Sequence, residues 1–245
     1  MKKYLFYSIP FLVVMLVTGL ICRFSIHQTN LDDYNVAFIW EQEKDESDDA
    51  KEESSFNLVD NVIEVWQEDL NPEMTPYVFT ATCLSEPVVD ACVVDQLVRV
   101  EKVISGDDVT EGEEFYLSSY NVGLMGDAET EHELNRAVTS LNMGFTNFMK
   151  VGKEYLVFVQ YFSYSHELKK QFAITGEALA TTYFALEDDK CEPVSKAQVV
   201  DDETGHYVKY SDVKDYEYFV GSEEIKKKLY DEKHKIIEKY LRDAF

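Results

Sequence analysis

Two histidine–glutamate pairs are the first residues in this sequence that suggest metal chemistry. His132-Glu133 and His166-Glu167 each begin the pattern His-Glu-x-x-His, in which two histidines one helical turn apart bind zinc. Arginine occupies the position of the second histidine in the first case, and lysine occupies it in the second. We therefore interpret both pairs as surface residues and predict no metal site from them.

Acidic residues suggest calcium at two further places. The segment from Asp201 to Gly205 begins like a calcium loop, but its glycine is the fifth residue where such a loop has its sixth, and the bidentate glutamate is absent. A second group lies between two predicted strands and could hold calcium among its carboxylates. Its members are Asp107, Asp108, Glu111, Glu113 and Glu114.

The sequence contains no recognised motif for nucleophilic or nucleotide chemistry. The Gly-x-Ser-x-Gly elbow, the phosphate-binding P-loop and the dinucleotide glycine fingerprint are all missing. With 47 acidic residues, carboxylates are neighbours by chance, so their proximity in sequence identifies no general acid. We predict no catalytic residue, no cofactor-binding residue and no cofactor, and we expect that the chain is not an enzyme.

Three cysteines follow the N-terminal apolar segment, namely Cys83, Cys92 and Cys191. An odd number leaves at least one of them unpaired. Cys83 and Cys92 flank an eight-residue segment and could close a disulfide in an oxidising compartment. The alternative is that all three are buried or free thiols.

The charge of the chain is strongly acidic, with 23 basic residues against 47 acidic ones and a formal net charge of −24. Because such a surface repels polyphosphate, we predict no nucleic-acid partner.

The N-terminus has the pattern of a membrane segment. A 19-residue stretch without charge begins at Tyr4 and ends at Cys22, after two lysines. At about 1.5 Å per residue it reaches roughly 28 Å, enough to span a hydrocarbon core. The lysines favour a cytoplasmic N-terminus, so we predict a single-pass protein of the cell membrane whose bulk is extracytoplasmic. A cleaved signal peptide and a lipoprotein signal with Cys22 as the lipidated residue remain alternatives.

The remaining chain divides into three parts. Residues 24–56 are predicted to be a flexible acidic linker, because residues 41–55 contain no large apolar residue. A short apolar island in this linker, residues 36–40, could be a first strand. Residues 57–221 are predicted to form the extracytoplasmic domain, and residues 222–245 a C-terminal amphipathic helix docked on it.

The domain begins with a stretch of helical spacing and continues with strand-like runs. Residues 57–70 favour a helix, although a strand stays open. Strands are predicted at residues 77–83, 88–105, 115–117, 151–162, 171–176, 179–186 and 206–210. In residues 151–162, both faces are apolar, so this strand should be buried on both sides or central. Alternation would place Tyr161 on the same face as Tyr155, and Phe162 on the same face as Phe158.

Between the strands, residues 121–150 are predicted to be a long excursion with a short helix over residues 131–141. In the C-terminal helix, Ser222 should be the N-cap, and Ile225, Leu229 and Ile236 belong to the apolar stripe. Its basic residues could alternatively form a surface for a partner or for anionic lipid. They are Lys226, Lys227, Lys228, Lys233, Lys235, Lys239 and Arg242.

Two of these runs resemble a known family. Residues 97–117 (LVRVEKVISGDDVTEGEEFYL) resemble the strand-turn-strand of netrin-like and tissue-inhibitor-of-metalloproteinase-like (TIMP-like) domains, and residues 151–159 (VGKEYLVFV) resemble a later strand. The resemblance covers about residues 76–176 and implies an OB-type five-stranded barrel, as in binding modules of bacterial surface proteins. Ser105 stands where the family has lysine. The family's protease inhibitors use an N-terminal cysteine, whereas Cys83 lies far inside the chain, so inhibition is not carried over.

We therefore predict a mainly β (α+β) fold: a small OB-type, netrin-like barrel with a C-terminal helix, preceded by a transmembrane helix. The predicted function is a membrane-anchored extracytoplasmic binding or interaction module that contacts a protein partner or an envelope ligand through residues 120–148. The alternative is a cell-envelope hydrolase with paired carboxylates, and a third is a structural spacer, which the apolar content disfavours.

Overall fold

The computed structural model of this chain describes residues 31–33, 35–37, 58–90, 93–119, 123–124, 140–142, 146–165, 170–174, 182–202 and 205–242. The predicted membrane span at residues 4–22, the acidic stretch at residues 41–55 and most of the helix predicted at residues 131–141 lie outside these ranges. The last two residues of that predicted helix, Ser140 and Leu141, belong to a strand, so the prediction was wrong there. Among the helices that the described ranges contain, none has both the length and the apolar character needed to cross a membrane.

Strands dominate the described part of the chain. They are β1 (Asn35–Ala37), β2 (Tyr77–Cys83), β3 (Val88–Asp90), β4 (Val93–Ser105), β5 (Glu114–Ser119), β6 (Gly123–Leu124), β7 (Ser140–Asn142), β8 (Glu154–Val159), β9 (Tyr161–Ser165), β10 (Lys170–Ile174), β11 (Tyr183–Ala185), β12 (Val200–Asp202) and β13 (Gly205–Lys209). The α-helices are α1 (Leu58–Asp69), α2 (Tyr210–Val213) and α3 (Glu223–Arg242), and short 3-10 helices lie at Leu31–Asp33 and Lys196–Gln198. The predicted mainly β, α+β class with a C-terminal helix is therefore confirmed.

The larger sheet has the order β11-β8-β2-β4-β5-β10-β9. Outside this order, β3 pairs with β4. All of its pairings are antiparallel except that of β5 with β10, which is parallel. The loop from β4 to β5 begins at Gly106, whose φ is +106°. A side chain there would also clash, because a Cβ would lie 2.4 Å from the ring of Tyr77. This position requires glycine on both grounds.

Both faces of β8 are buried, as the sequence predicted. It lies between β2 and β11, second from one end of the larger sheet, so the strand is not central in the strand order. Tyr155, Val157 and Val159 face a core formed by the strands. Leu156 and Phe158 face a second core, which contains side chains from both long helices. This strand therefore joins the two largest parts of the hydrophobic core.

The prediction for Phe162 was wrong. Phe162 packs in the same core as Tyr155 and Val157, with its ring 5.1 Å from that of Phe115. Gln160 lies between β8 and β9 and belongs to neither strand, and this extra residue shifts the alternation by one position. Tyr161 consequently points away from the strand core and is 49% exposed.

The helix predicted near residues 57–70 is confirmed as α1. Val59, Val62 and Trp66 recur at helical spacing and are buried, and the Trp66 ring lies 5.1 Å from Phe184 of β11. The C-terminal helix α3 also begins as predicted, because the Ile225 amide donates to the Ser222 hydroxyl at 3.2 Å.

A second, smaller sheet has the order β12-β13-β1-β7-β6. Its middle strand, β1, comes from the segment that we predicted to be a linker, at the apolar island that could be a first strand. Val36 is 0% exposed and packs against Val208 of β13. Part of the predicted linker therefore belongs to the folded structure.

The double burial of β8 makes a prediction about stability. Replacing Phe158 by alanine should lower the free energy of unfolding by about 3–5 kcal/mol, because it leaves a cavity between the strands and the helices. Tyr161→Ala is the matched control on the adjoining strand, and we expect a change of less than about 1 kcal/mol there. Urea-unfolding curves of the full chain measure both, and equal losses would contradict the assignment of these two faces.

Candidate functional site

Seven ionisable residues lie close together where four segments of the described chain meet. These are the turn before β8, the segment after β11, the segment before α3, and α3 itself. Backbone bonds hold three of them together: Asn147 N–H donates to Glu217 O at 2.9 Å, and Glu217 N–H donates to Lys190 O at 2.8 Å. We refer to this region, built from Lys150, Lys153, Asp188, Asp189, Glu217, Tyr230 and Lys233, as the charge cluster.

At its centre is a buried ion pair. Lys233 of α3 is 0% exposed, and its Nζ lies 2.6 Å from Glu217 Oε1 and 3.0 Å from Asp188 Oδ1. Glu217, itself buried, uses Oε2 to accept from the Asp189 backbone N–H at 2.9 Å and from the Tyr230 hydroxyl at 3.1 Å. Both partners are thus hydrogen-bonded as well as paired, which a buried charge requires.

Two lysines of the turn before β8 neutralise the Asp189 carboxylate. Its Oδ2 lies 2.6 Å from Lys150 Nζ and 2.7 Å from Lys153 Nζ. Burial raises the pKa of this carboxyl, but hydrogen bonds from the two lysines lower it more, so that the pKa falls to about 2. Asp189 is therefore an ionised carboxylate at neutral pH.

Asp188 joins the cluster to the helix surface. Its Oδ1 lies 2.8 Å from His234 Nε2 and also contacts Lys233. Burial raises the pKa of Asp188, but hydrogen bonds from His234 and Lys233 lower it by more. The pKa of this carboxyl is therefore below its usual range.

Neutral tyrosines line the remaining polar space. Burial raises the pKa values of Tyr155 and Tyr183, so both keep their protons. The Tyr183 hydroxyl donates to Asn147 O at 3.0 Å, and the Tyr155 hydroxyl accepts from Lys150 N–H at 2.7 Å. A cavity of about 10 Å³ lies between these residues and Glu217. That volume fits about one water molecule and is far below that of a substrate pocket.

The arrangement of charges favours a role in attaching α3 to the rest of the fold over a role in acid–base chemistry. Three lysines face three carboxylates, so the charges of the cluster balance. A pair of carboxylates that exchanges protons needs one protonated member, and Asp188 and Asp189 are both held in the charged form. The cluster fastens α3 to the segments on either side of it.

Sequence reasoning missed this cluster because it counted Lys233 among the surface basic residues. One signal was present: position 233 follows Leu229 by four residues and precedes Ile236 by three, so it lies within the apolar stripe of α3. Glu217 had no such signal, since the segment around it has no regular periodicity.

The remaining basic residues of α3 are largely compensated. Lys226 pairs with Glu223, Lys235 pairs with Glu232, and Arg242 pairs with Glu238. Lys228 reaches across to Asp60 of α1 at 3.3 Å. These pairs favour the interpretation that the helix is docked on the domain over the alternative that its basic residues form a surface for anionic lipid.

The structure describes only some of the residues that the sequence suggested for metal binding. Residues 132–133 and 166–167 lie outside the described residues. In the ranges that are described, no group of three or more histidine, cysteine or acidic side chains is arranged to hold a metal ion. Asp107 and Asp108 are exposed in the loop between β4 and β5, and Asp201 lies in β12.

Cys83 and Cys191 are buried free thiols. Burial raises the pKa of each to about 11, so neither is a reactive thiolate. Cys92 lies outside the described residues. The bridge between Cys83 and Cys92 therefore stays a prediction.

Comparison with protein-family models finds no match for this chain, and comparison with the curated proteins finds none either.

Breaking the buried pair should be costly. Lys233→Met leaves Glu217 buried without its counter-charge, and we expect a loss of roughly 3–5 kcal/mol in the free energy of unfolding. Lys227→Met is the control at an exposed lysine of the same helix, and should cost less than about 1 kcal/mol. The double variant Lys233→Met, Glu217→Gln should recover part of the loss in urea unfolding. If Lys233→Met and Lys227→Met are equally stable, the buried pair does not hold the helix.

The lowered pKa of Asp189 predicts an acid-sensitive contribution to stability. Its stabilisation is complete above the ordinary carboxyl pKa near 4 and is lost as the pH falls toward about 2, with a size of about 2 kcal/mol. Asp189→Asn should therefore show a shallower loss of stability between about pH 5 and pH 2 than the parent chain. Asp108→Asn, at an exposed carboxyl in the β4–β5 loop, is the control for removal of one negative charge. Urea midpoints measured across this pH range decide, and identical slopes in all three proteins would refute the role of Asp189.

Proposed function

We propose that this chain is an extracytoplasmic binding module, held at a cell membrane by its N-terminal segment and folded around an OB-type, netrin-like barrel. The proposal for the anchor rests on the sequence: a charge-free stretch from Tyr4 to Cys22 preceded by two lysines. The partner would be a protein or another envelope ligand, and not a nucleic acid, because the net charge is −24.

Closure of a barrel is supported by the continuity of β8 and β9. These strands are separated by Gln160 alone, yet β8 pairs with β2 near one end of the larger sheet and β9 pairs with β10 at the other. A single strand that pairs with both ends of a sheet closes it. The inward side chains also continue through the junction, from Val157 and Val159 to Phe162. The barrel strands would be β2, β4, β5, β10 and the β8–β9 unit, five in number as in OB-type folds.

The observation that carries the binding function is an aromatic surface on the outside of these strands. Leu97, Tyr116 and Phe172 are cross-strand partners in one row over β4, β5 and β10, and the rings of Tyr116 and Phe172 are 5.7 Å apart. Their neighbours Phe115 and Leu117 face the core, so this row lies on the opposite face of the strands, where its three side chains are half-buried. Tyr161 of β9 lies diagonally next to Phe172. We refer to Leu97, Tyr116, Tyr161 and Phe172 as the aromatic face.

Such a surface suits recognition of a partner. Tyrosine and phenylalanine are enriched at protein interfaces because they bury large areas with little loss of side-chain freedom. The aromatic face also continues along the chain into the predicted contact segment, since β5 ends at Ser119 and that segment begins at residue 120. Residues 120–148 lie largely outside the described residues, so their part in the contact stays a prediction.

The alternative of a carboxylate hydrolase has less support. It requires a proton-exchanging pair of acids in a cleft that admits a substrate. In the charge cluster, Asp188 and Asp189 are held ionised by His234 and lysines, and the adjoining cavity has a volume of about 10 Å³. The acids that converge there serve the docking of α3.

Site-specific photo-crosslinking tests the binding proposal. A photoreactive phenylalanine analogue in place of Tyr161 should form a discrete cross-linked species with one partner when the full chain is irradiated in its native membranes. Val151, 48% exposed at the turn before β8, is the matched control and should form none. Identical products from both positions, or none from either, would count against the aromatic face as the contact surface.

A further inference from the structure

The smaller sheet depends on a strand from the N-terminal part of the chain. β1 lies between β13 and β7: Val36 is opposite Val208 in the antiparallel pairing and opposite Leu141 in the parallel one. The Val36 side chain is fully buried and packs in a core with Tyr210 and Val213 of α2. A three-residue strand with one fully buried valine therefore fills the centre of this sheet.

The hairpin formed by β6 and β7 reaches the rest of this sheet through β1. Within the described pairings, β7 pairs with β6 on one side and β1 on the other, while β13 pairs with β1 and β12. If β1 leaves, β7 and β13 lose the strand that connects them. The hairpin would then keep its own two-strand pairing, and an isolated two-stranded hairpin is at best marginally stable in water.

Two further contacts of this segment are described. Leu31 is partly buried in the same core as Val36, and Asp32 forms an ion pair with Lys214 at 3.0 Å, in which both side chains are partly exposed. An exposed pair of this kind contributes little. The buried Val36 is therefore the contact whose loss should release β1.

The chain length also allows β1 to leave without disturbing the barrel. Twenty residues, 38–57, separate β1 from the start of α1. Fully extended, they could span about 66–72 Å, so the covalent connection does not force β1 to stay in the sheet.

We propose that residues 31–37 act as a strap that holds the β6–β7 hairpin on the domain, so that the N-terminal segment regulates the region next to the aromatic face. β5 and β6 are separated by residues 120–122 alone, which places the hairpin immediately after the strand that carries Tyr116. This regulatory role rests on the proposed binding function. The mechanical dependence of the hairpin on β1 does not, and it can be tested by itself.

Hydrogen exchange of backbone amides in the full chain, followed by mass spectrometry, tests the strap. Val36→Asp places a charge at a fully buried position and should release β1. We expect amide exchange in β13 and in residues 123–124 and 140–142 to become at least about tenfold faster, while β2 and β8 keep their protection. Val151→Asp, a charge at an exposed valine, should leave all of these rates unchanged.

The decisive result is the behaviour of the hairpin when β1 is released. Faster exchange in β13 with unchanged exchange in β6 and β7 would overturn the proposal, as would unchanged exchange in all three strands. If Val36→Asp also exposes β2 and β8, Val36→Ala replaces it, and the same comparison applies with an expected increase of about three- to tenfold. A strap confirmed by exchange together with an absent cross-link at Tyr161 would reject the binding function alone.

Discussion

The double burial of β8 is the constraint on which the described structure depends. A strand presents alternate side chains to opposite faces, so a strand such as β8, which is apolar from Tyr155 to Val159, must be covered on both. Tyr155, Val157 and Val159 are covered by the other strands, and Leu156 and Phe158 by the helices. The helices α1 and α3 come from distant parts of the sequence, yet they share this surface, and the Tyr240 hydroxyl of α3 donates to Leu70 O just after α1 at 2.7 Å.

Charge is the second organising factor, because the chain has twice as many acids as bases. A lysine that becomes buried in such a protein has abundant carboxylate partners, and Lys233 takes Glu217 and Asp188. Lys150 and Lys153 do the same for Asp189. The cluster therefore reaches local neutrality, and the large negative excess of the chain belongs to other positions. That division explains how an acidic protein can carry several carboxylates near its core without the repulsion that would open it.

Local sequence patterns predicted the elements well and their relations less well. The helix α1 and strands such as β2 were recognisable because their apolar residues repeat with one period. The shift at Gln160 was not, because in a strand with two apolar faces a change of register leaves no trace in the hydrophobic pattern. The pairing of β1 with β7 and β13 joins residues about 100 and 170 positions apart, and periodicity carries no such information. The charge cluster was missed for a related reason, since Glu217 and Lys233 become partners only when the segment before α3 folds against the helix.

The two sheets differ in what they can contribute to recognition. The larger one has buried aromatic and β-branched side chains on β2, β4, β5 and β8, so it is suited to present the aromatic face rigidly. The smaller one is built from short strands around β1, in which Val36 is fully buried. If β1 acts as the proposed strap, its release would free the β6–β7 hairpin while the strands of the larger sheet keep their core. Under the proposed binding function, the aromatic face would be the fixed contact and the hairpin the adjustable one, since the hairpin reaches the rest of the smaller sheet through β1.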